Sequence, residues 1–564
     1  MLLSCLLIQP VQASVRLMLE PELPEVRANI EAYLGEQEPR TTREMRRYAR
    51  HARNQVSQAL QALGYYQYQI RIDIEEGEPA RLHLNVTPGE PVRLRHVLVE
   101  LSGEAQYQRD FTLPGQTDLK PGQPLNHAAY EAAKRHFRNQ GLRYGYFSAR
   151  YQVQQLDINP QQGWADIHLH FDSGPRYRLG AVTFDHEGVL DEAFLQRFVT
   201  FASGTPYSTD LITDLSRDLR GSGYFHEVLV DARHEFAEDL QVPVDVLLRM
   251  RPPRTLSVGV GFSTDIGPRV TTAWTQHWLN DQGHSRGVDA EVSQPRQSVG
   301  GWYQLPLTPP MTDYLRLTSA VRKERYDEQE SQRFSAGIQW HHRLDNGWDR
   351  VLSLRGEYEE FRVGADEDAT WLTLPGIGLG RLRSNHRVDP SRGYRVQVDL
   401  TGSRRDLLAD VDILQLTFFS RGLMTLKDHH RFLARVQGGA MATDAFEQVP
   451  ASLRFFAGGD QSVRGYGYQE LAPRDESGQL LGGRYLLAVG LEYQYALTDR
   501  WRLATFVDAG DAVLEPKDLK QPLLGVGVGI RWVSPVGPLR LDVARGLDEQ
   551  LGGWRLHFSM GPEL

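Results

Sequence analysis

Residues 451–470, ASLRFFAGGDQSVRGYGYQE, are a polar, Gly-rich excursion that sets Arg464 in the turn Val463-Arg464-Gly465-Tyr466, with alternating segments on either side. The segment that follows, YLLAVGLEYQY at 485–495, places Leu487, Val489, Leu491, Tyr493 and Tyr495 on one face and Ala488, Gly490, Glu492 and Gln494 on the other. A repeat of two is a strand. The next segment, WRLATFVDAGD at 501–511, puts Phe506, Asp508 and Gly510 opposite Leu503, Thr505, Val507 and Ala509. With the apolar faces turned to lipid, Glu492 and Asp508 point into an aqueous lumen, where a cation reaching in from a loop can meet them.

Arg464 is that candidate cation. Closing a loop of roughly forty residues back into a lumen costs chain entropy, and a charge-assisted, bidentate guanidinium–carboxylate contact offsets part of it. Phe506 lies on the face from which it can stack on the guanidinium. On the residues alone the alternative stands equally: Arg464 solvated, and Asp508 paired with another lumen arginine such as Arg531.

Moving outward, the same alternation holds over the C-terminal three hundred or so residues. LSVGVGF sets Leu256, Val258, Val260 and Phe262 against Ser257, Gly259 and Gly261, and YRVQVDL sets Tyr394, Val396, Val398 and Leu400 against Arg395, Gln397 and Asp399. The terminal WRLHFSM sets Trp554, Leu556, Phe558 and Met560 against Arg555, His557 and Ser559. Charged residues alternating with aliphatics predict a transmembrane antiparallel barrel of about sixteen strands, beginning near residue 253. A soluble sandwich also alternates, but with fewer long charged loops. The longest gap between predicted strands, the eleventh to the twelfth, contains Arg464 and is the sixth loop on the side away from the N-terminal region. The terminal Gly561-Pro562 cannot sustain regular pairing. On the residues alone that reads as ordinary fraying at a chain end or as a weak seam between Leu256, Val258 and Val260 on the first strand and Phe558 to Gly561 on the last.

Three units precede the barrel. Gly64-Tyr65-Tyr66, Gly145-Tyr146-Phe147 and Gly223-Tyr224-Phe225 each follow an amphipathic helical stretch and open a strand pair. They recur at roughly 80-residue intervals. Each glycine suits the left-handed position that ends a helix. The predicted limits are 14–90, 91–175 and 176–252, each with the order strand, helix, helix, strand, strand. The Gly-Tyr-aromatic triplets are read as caps and core, and an open sheet edge in each unit as a place for strand addition. Residues 1–13, MLLSCLLIQPVQA, read as a secretory signal with a clipped start. Cys5 is the only cysteine, so a mature chain holds no disulfide and no Cys-ligated metal.

The order Arg464-Gly465-Tyr466, Glu492, Phe506/Asp508/Gly510, then GPLRLD at 537–542 and an aromatic last strand, resembles the BamA/TamA superfamily of outer-membrane assembly and translocation barrels. The N-terminal units resemble its POTRA domains. Three units, where BamA carries five and two-partner secretion transporters two, place the resemblance in the TamA branch. It implies an Arg464 lock to Glu492 and Asp508, a lateral gate at the seam, and non-catalytic insertion of clients such as autotransporters into the outer membrane. It further implies an inner-membrane partner of the TamB type and contact with membrane lipids and lipopolysaccharide. A passive pore or receptor with tethering domains is the alternative.

Other classes lack support in the sequence. A net charge of −9 argues against a nucleic-acid binder. There is no Gly-x-Ser-x-Gly elbow, no phosphate-binding loop and no His-Glu-x-x-His, so no catalytic residue, cofactor or metal is assigned. His341-His342 and His429-His430 are adjacent pairs whose side chains diverge. Glu357, Glu359 and Glu360 read as a solvated face or rim, and Asp366, Glu367 and Asp368 as an exposed loop.

Overall fold

The structure is a computed structural model that describes residues 15–561 apart from 37, 116–118, 327, 387 and 535–536. The expected signal segment and Pro562 lie outside the described residues. The chain divides into two compact units, one of residues 1–183, 201–214 and 231–245, the other of 184–200, 215–230 and 246–564.

Three small sheets come first in sequence. In the first, Val15–Leu19 lies parallel to Arg81–Thr87, which runs antiparallel to Gln69–Glu75, so the last strand of the repeat is central. Its helices are Pro24–Leu34 and Thr42–Ala62, the second opened by a capping box between Thr41 and Glu44. Val26, Ile30, Met45, Val56 and Leu60 close over Leu82, Leu84 and Val86. The second sheet repeats the order with Arg93–Ser102, Trp164–Asp172 and Arg150–Asn159. The third does so with Arg178–Asp185, Gln241–Met250 and Phe225–Ala232.

One expectation fails in the second repeat. Its first helix is only a 3-10 turn, Glu104–Tyr107, before the long helix His127–Tyr144. Gly103, at φ +80, and Pro114-Gly115 bracket the window, and neither suits a helix interior. Phe111, Phe137, Tyr146 and Phe171 fill the space instead, with the Phe137 and Phe171 rings 5.0 Å apart.

The C-terminal region is a sixteen-stranded sheet in strict sequence order, from Arg254–Ser263 to Trp554–Met560, each strand antiparallel to the next. Its outward positions are apolar and exposed, Val321, Phe334, Ile338 and Leu354 among them, while the inward positions carry Arg333, Glu357, Arg435 and Asp508. That is the inside-out distribution of a membrane barrel. No helix is long and apolar enough to cross a membrane among the described residues. Within this unit the turn before the third barrel strand is seated on two aromatics. Tyr224 donates to the Gly283 carbonyl at 2.6 Å, and a Cβ on Gly283 would fall within 2.3 Å of the Phe194 ring.

Candidate functional site

The loop between the strands His430–Thr443 and Tyr485–Ala496 turns back into the barrel. Polar in sequence, it still builds its own apolar support, with Val463, Tyr466 and Leu471 buried together against Ala488 and Val449, Leu453 and Phe455 against Leu372, Leu374 and Met441. Short backbone pairings, Phe455 with Gly483 and Ala457 with Leu471, tie the loop to itself.

Arg464 is buried against the lumen wall, 6 % exposed. Its Nε donates to Asp508 Oδ2 at 2.7 Å and its Nη2 to Asp508 Oδ1 at 3.1 Å, a bidentate pair. Its Nη1 donates to Glu492 at 2.7 Å and to Asp542 at 3.2 Å. The guanidinium carbon lies 3.3 Å from the centre of the Phe506 ring. Arg464 lies in the loop, outside the strands, and the three surrounding carboxylates outweigh its burial and raise its already high pKa further. It is therefore a fixed charge.

Neighbouring backbone is held as firmly. The Gly465 N–H donates to His557 Nε2 at 3.0 Å, and the Tyr466 hydroxyl donates to the Leu524 carbonyl at 2.9 Å while accepting from the Asp548 N–H. The wall under the lock is kept low by glycines. A Cβ at Gly525 would stand 1.9 Å from the Arg464 carbonyl oxygen, and one at Gly527 would stand 2.4 Å from the Phe506 ring. Gly510 shares the lumen face with Asp508, and the space where its Cβ would stand is taken by the Leu487 carbonyl oxygen and by Ala488.

Arg531, the alternative partner considered for Asp508, instead bridges Glu492, at 2.9 Å, and Asp542, at 2.5 Å. Other participants were not singled out by the sequence. Arg435 approaches Asp508 at 3.4 Å and also donates to the Ser462 carbonyl. Arginines 435, 464 and 531 thus face Glu492, Asp508 and Asp542 in balance. Arg454, in the same stretch as Arg464, is a second anchor. It donates to the carbonyls of Glu447, Val449 and Leu481 and to Asp366 at 2.7 Å.

That anchor corrects two expectations. Asp366, Glu367 and Asp368 are not a loop: they open the strand Asp366–Ser384, and Asp366 is used by Arg454. Glu357 and Glu359 are buried rather than solvated, at 4 % and 2 % exposure, Glu357 between Arg333 and Arg355 and Glu359 under Ser452 of the loop, while Glu360 is exposed as expected. Glu359 accepts from Ser331 Oγ at 2.8 Å and from Ser452 Oγ at 2.5 Å. Of the histidine pairs, His341 stacks on Tyr314 and His342 bonds Asp313. Among the described residues no group of three or more His, Cys, Asp or Glu side chains is placed to hold a metal.

At the seam, no ladder joins the first and last strands among the described residues. They meet where the Thr264 N–H donates to the Phe558 carbonyl at 3.1 Å, the Phe558 N–H donates to Thr264 Oγ1 at 3.2 Å, and the Phe262 and Phe558 rings approach to 5.7 Å. Leu256, Val258 and Val260 are 67 %, 67 % and 76 % exposed. Gly561 instead donates its N–H to the Pro538 carbonyl.

A nearly closed sixteen-stranded barrel, preceded in sequence by α+β repeats and plugged by an arginine-locked loop, defines the class as a transmembrane β-barrel with N-terminal repeats. A profile described as the Omp85 superfamily domain matches residues 254–563, more than half of the chain, so the chain belongs to the Omp85 superfamily. A profile for TamA POTRA domain 1 matches residues 17–88, and a POTRA profile described as surface antigen variable number repeat matches 98–174. The outer membrane protein assembly factor BamA of Nitratidesulfovibrio vulgaris is 25 % identical over 403 residues, covering 65 % of this chain and 48 % of that protein. BamA of Neisseria meningitidis is 22 % identical over 560 residues, covering 86 % and 69 %. The chain spans about half the length of the first of these relatives. A crystal structure of Haemophilus ducreyi BamA lacking POTRA domains 1–3 superposes with a TM-score of 0.64 at 16 % identity, covering 83 % of this chain and 99 % of that one.

Proposed function

We propose that this chain resides in the outer membrane with its repeats in the periplasm and helps insert or secrete autotransporter-type outer-membrane proteins. Clients pass through a lateral seam between the first and last barrel strands, and an inner-membrane partner of the TamB type engages the repeats. The role is non-catalytic, and lipids and lipopolysaccharide surround the working barrel. The observation that carries this reading is the unpaired edge of the first strand, whose residues 254–261 have no ladder partner on the seam side among the described residues. An edge strand left open beside lipid is a template for an incoming strand.

The test is a reversible lock. With Cys5→Ser, the pair Phe262→Cys and Phe558→Cys is oxidised in full-length protein in liposomes and client insertion is followed before and after reduction. Insertion should stop on oxidation and return on reduction, and undiminished insertion through the locked seam would rule the reading out. Co-purification of a TamB-type protein with the wild-type chain from envelopes checks the partner. In planar bilayers the passive-pore reading requires a stably open channel, whereas a loop-plugged barrel conducts little.

A further inference from the structure

The locked loop reaches both sides of the seam. On the first-strand side, the Asp460 N–H donates to Asp265 Oδ2 at 2.8 Å; Asp265 lies in the turn between the first two strands, Arg254–Ser263 and Gly267–Gln276. The approach depends on Gly459, at φ +99, where a Cβ would stand 2.6 Å from the same carboxylate oxygen. On the last-strand side, the Gly465 N–H donates to His557 Nε2, and Arg555 donates to Glu470 at 2.9 Å. His557 is therefore a neutral imidazole that accepts at Nε2 and carries its proton on Nδ1. Between the two anchors stands Arg464, fixed to the wall by Asp508 and Glu492.

Among the described residues, the hydrogen bonds and the ring contact between the first strand with its turn and the last strand are those of Phe262 and Thr264 with Phe558. Two backbone hydrogen bonds from the loop, one to a carboxylate and one to a buried imidazole, equal in number the two direct hydrogen bonds across the seam. The first is charge-assisted and so stronger than a neutral one. Parting the strands stretches the 459–465 segment unless it first lets go of one side.

We propose that Asp265 and His557 are positioning residues that fasten the 459–470 segment across the inside of the seam as a strap, so that lifting the loop and opening the seam are one coupled event. The proposal rests on the seam reading above, but its test does not require client insertion. Spin labels at Val258→Cys and Leu556→Cys, in full-length Cys5→Ser protein in liposomes, report the separation of the two strands by pulsed electron resonance. Asp265→Ala and His557→Leu should each move the distribution to longer distances, with an open population raised roughly tenfold, the effect of losing one such hydrogen bond. His557→Gln, whose amide oxygen can accept from Gly465, should restore the short distance. Conductance in the same samples reports whether Arg464 still plugs the lumen.

An unchanged distribution in Asp265→Ala and His557→Leu, with conductance low, would overturn the strap. A widened distribution that His557→Gln does not reverse would also overturn it, since general weakening of the last strand then suffices. If the strap variants widen the seam but the oxidised Phe262/Phe558 pair still permits insertion, the strap stands and the seam pathway falls. If the locked pair blocks insertion but the strap variants leave the seam closed, the reverse holds.

Discussion

Asp460 shows how one side chain sets the working range of the loop. Burial first, and then the hydrogen bond to Asp265 and its charge, push the Asp460 carboxyl up to about 8. The folded state binds this proton more tightly than the unfolded chain, whose aspartates titrate near 4. The resulting stability is fully present below the unfolded value, declines as pH rises, and is gone once pH passes the folded value near 8. Protease cleavage within 444–484 should therefore quicken between pH 5 and pH 9, and Asp460→Asn should flatten that dependence. Parallel pH profiles for the two proteins would defeat the assignment. The sequence could not have marked Asp460, because its partner is 195 residues away. Glu492 and Asp508 were legible as lumen-facing because alternation fixes the face each occupies, whereas Arg464 lies outside the strands, and its contact with them was implied by the resemblance to the assembly-barrel superfamily and not by spacing. Asp542, Arg435 and His557 sit on the same lumen face, but nothing in an alternating pattern tells which inward charge a loop will reach.

At the scale of elements, the strand pattern was the most legible feature, since a period of two repeated between turns leaves little choice of start. Cover was illegible. Glu357 and Glu359 read as solvated because alternation gives the face and not what lies over it. The Gly-Tyr-aromatic triplets read as helix caps, and they also space the repeats. The Val92 N–H donates to the Gly64 carbonyl and the Leu125 N–H to the Val92 carbonyl; Tyr177 and Tyr207 do the same above Gly145. In both cases the glycine lies against the next repeat, Gly64 under the Leu125 carbonyl and Gly145 under the Tyr207 ring. At Gly145, φ is +77 and a Cβ would stand 2.5 Å from Tyr207 Cβ. Gly163, at φ +70 with nothing within 4 Å, is the natural control. Gly163→Ala should cost about 1 kcal/mol, the left-handed penalty alone. Gly145→Ala should cost about 2–3 kcal/mol, because packing against Tyr207 is lost as well. Equal shifts in the denaturant midpoint of the repeats would show that Gly145 is only a cap.

For the whole molecule, the balance between a folded barrel and a plugged one turns on Arg464. The fifteen ladders bond strand to neighbouring strand and use no atom of the loop, so the paired wall does not depend on the plug. The plug does depend on the wall: removing the guanidinium leaves Asp508, Glu492 and Asp542 with Arg531 and Arg435 alone, in a site where Asp508 is 0 % exposed. Breaking a buried pair from one side costs about 3–5 kcal/mol, more than enough to shift a loop whose closure is opposed by chain entropy. Arg464→Ala should therefore raise single-channel conductance and expose 444–484 to protease, while the barrel stays folded, read as a strand signal in circular dichroism equal to that of the wild-type chain. Arg464→Lys should fall between, because an ammonium cannot reach Asp508 in two places and Glu492 at once. The apolar anchors of the loop and the Arg454 clamp pull the other way, since they hold 446–457 regardless of residue 464. Cleavage is thus expected first at 458–470, between the two arginines and the seam, and cleavage spread evenly over 444–484 would place the plug's stability in its apolar packing instead of in Arg464.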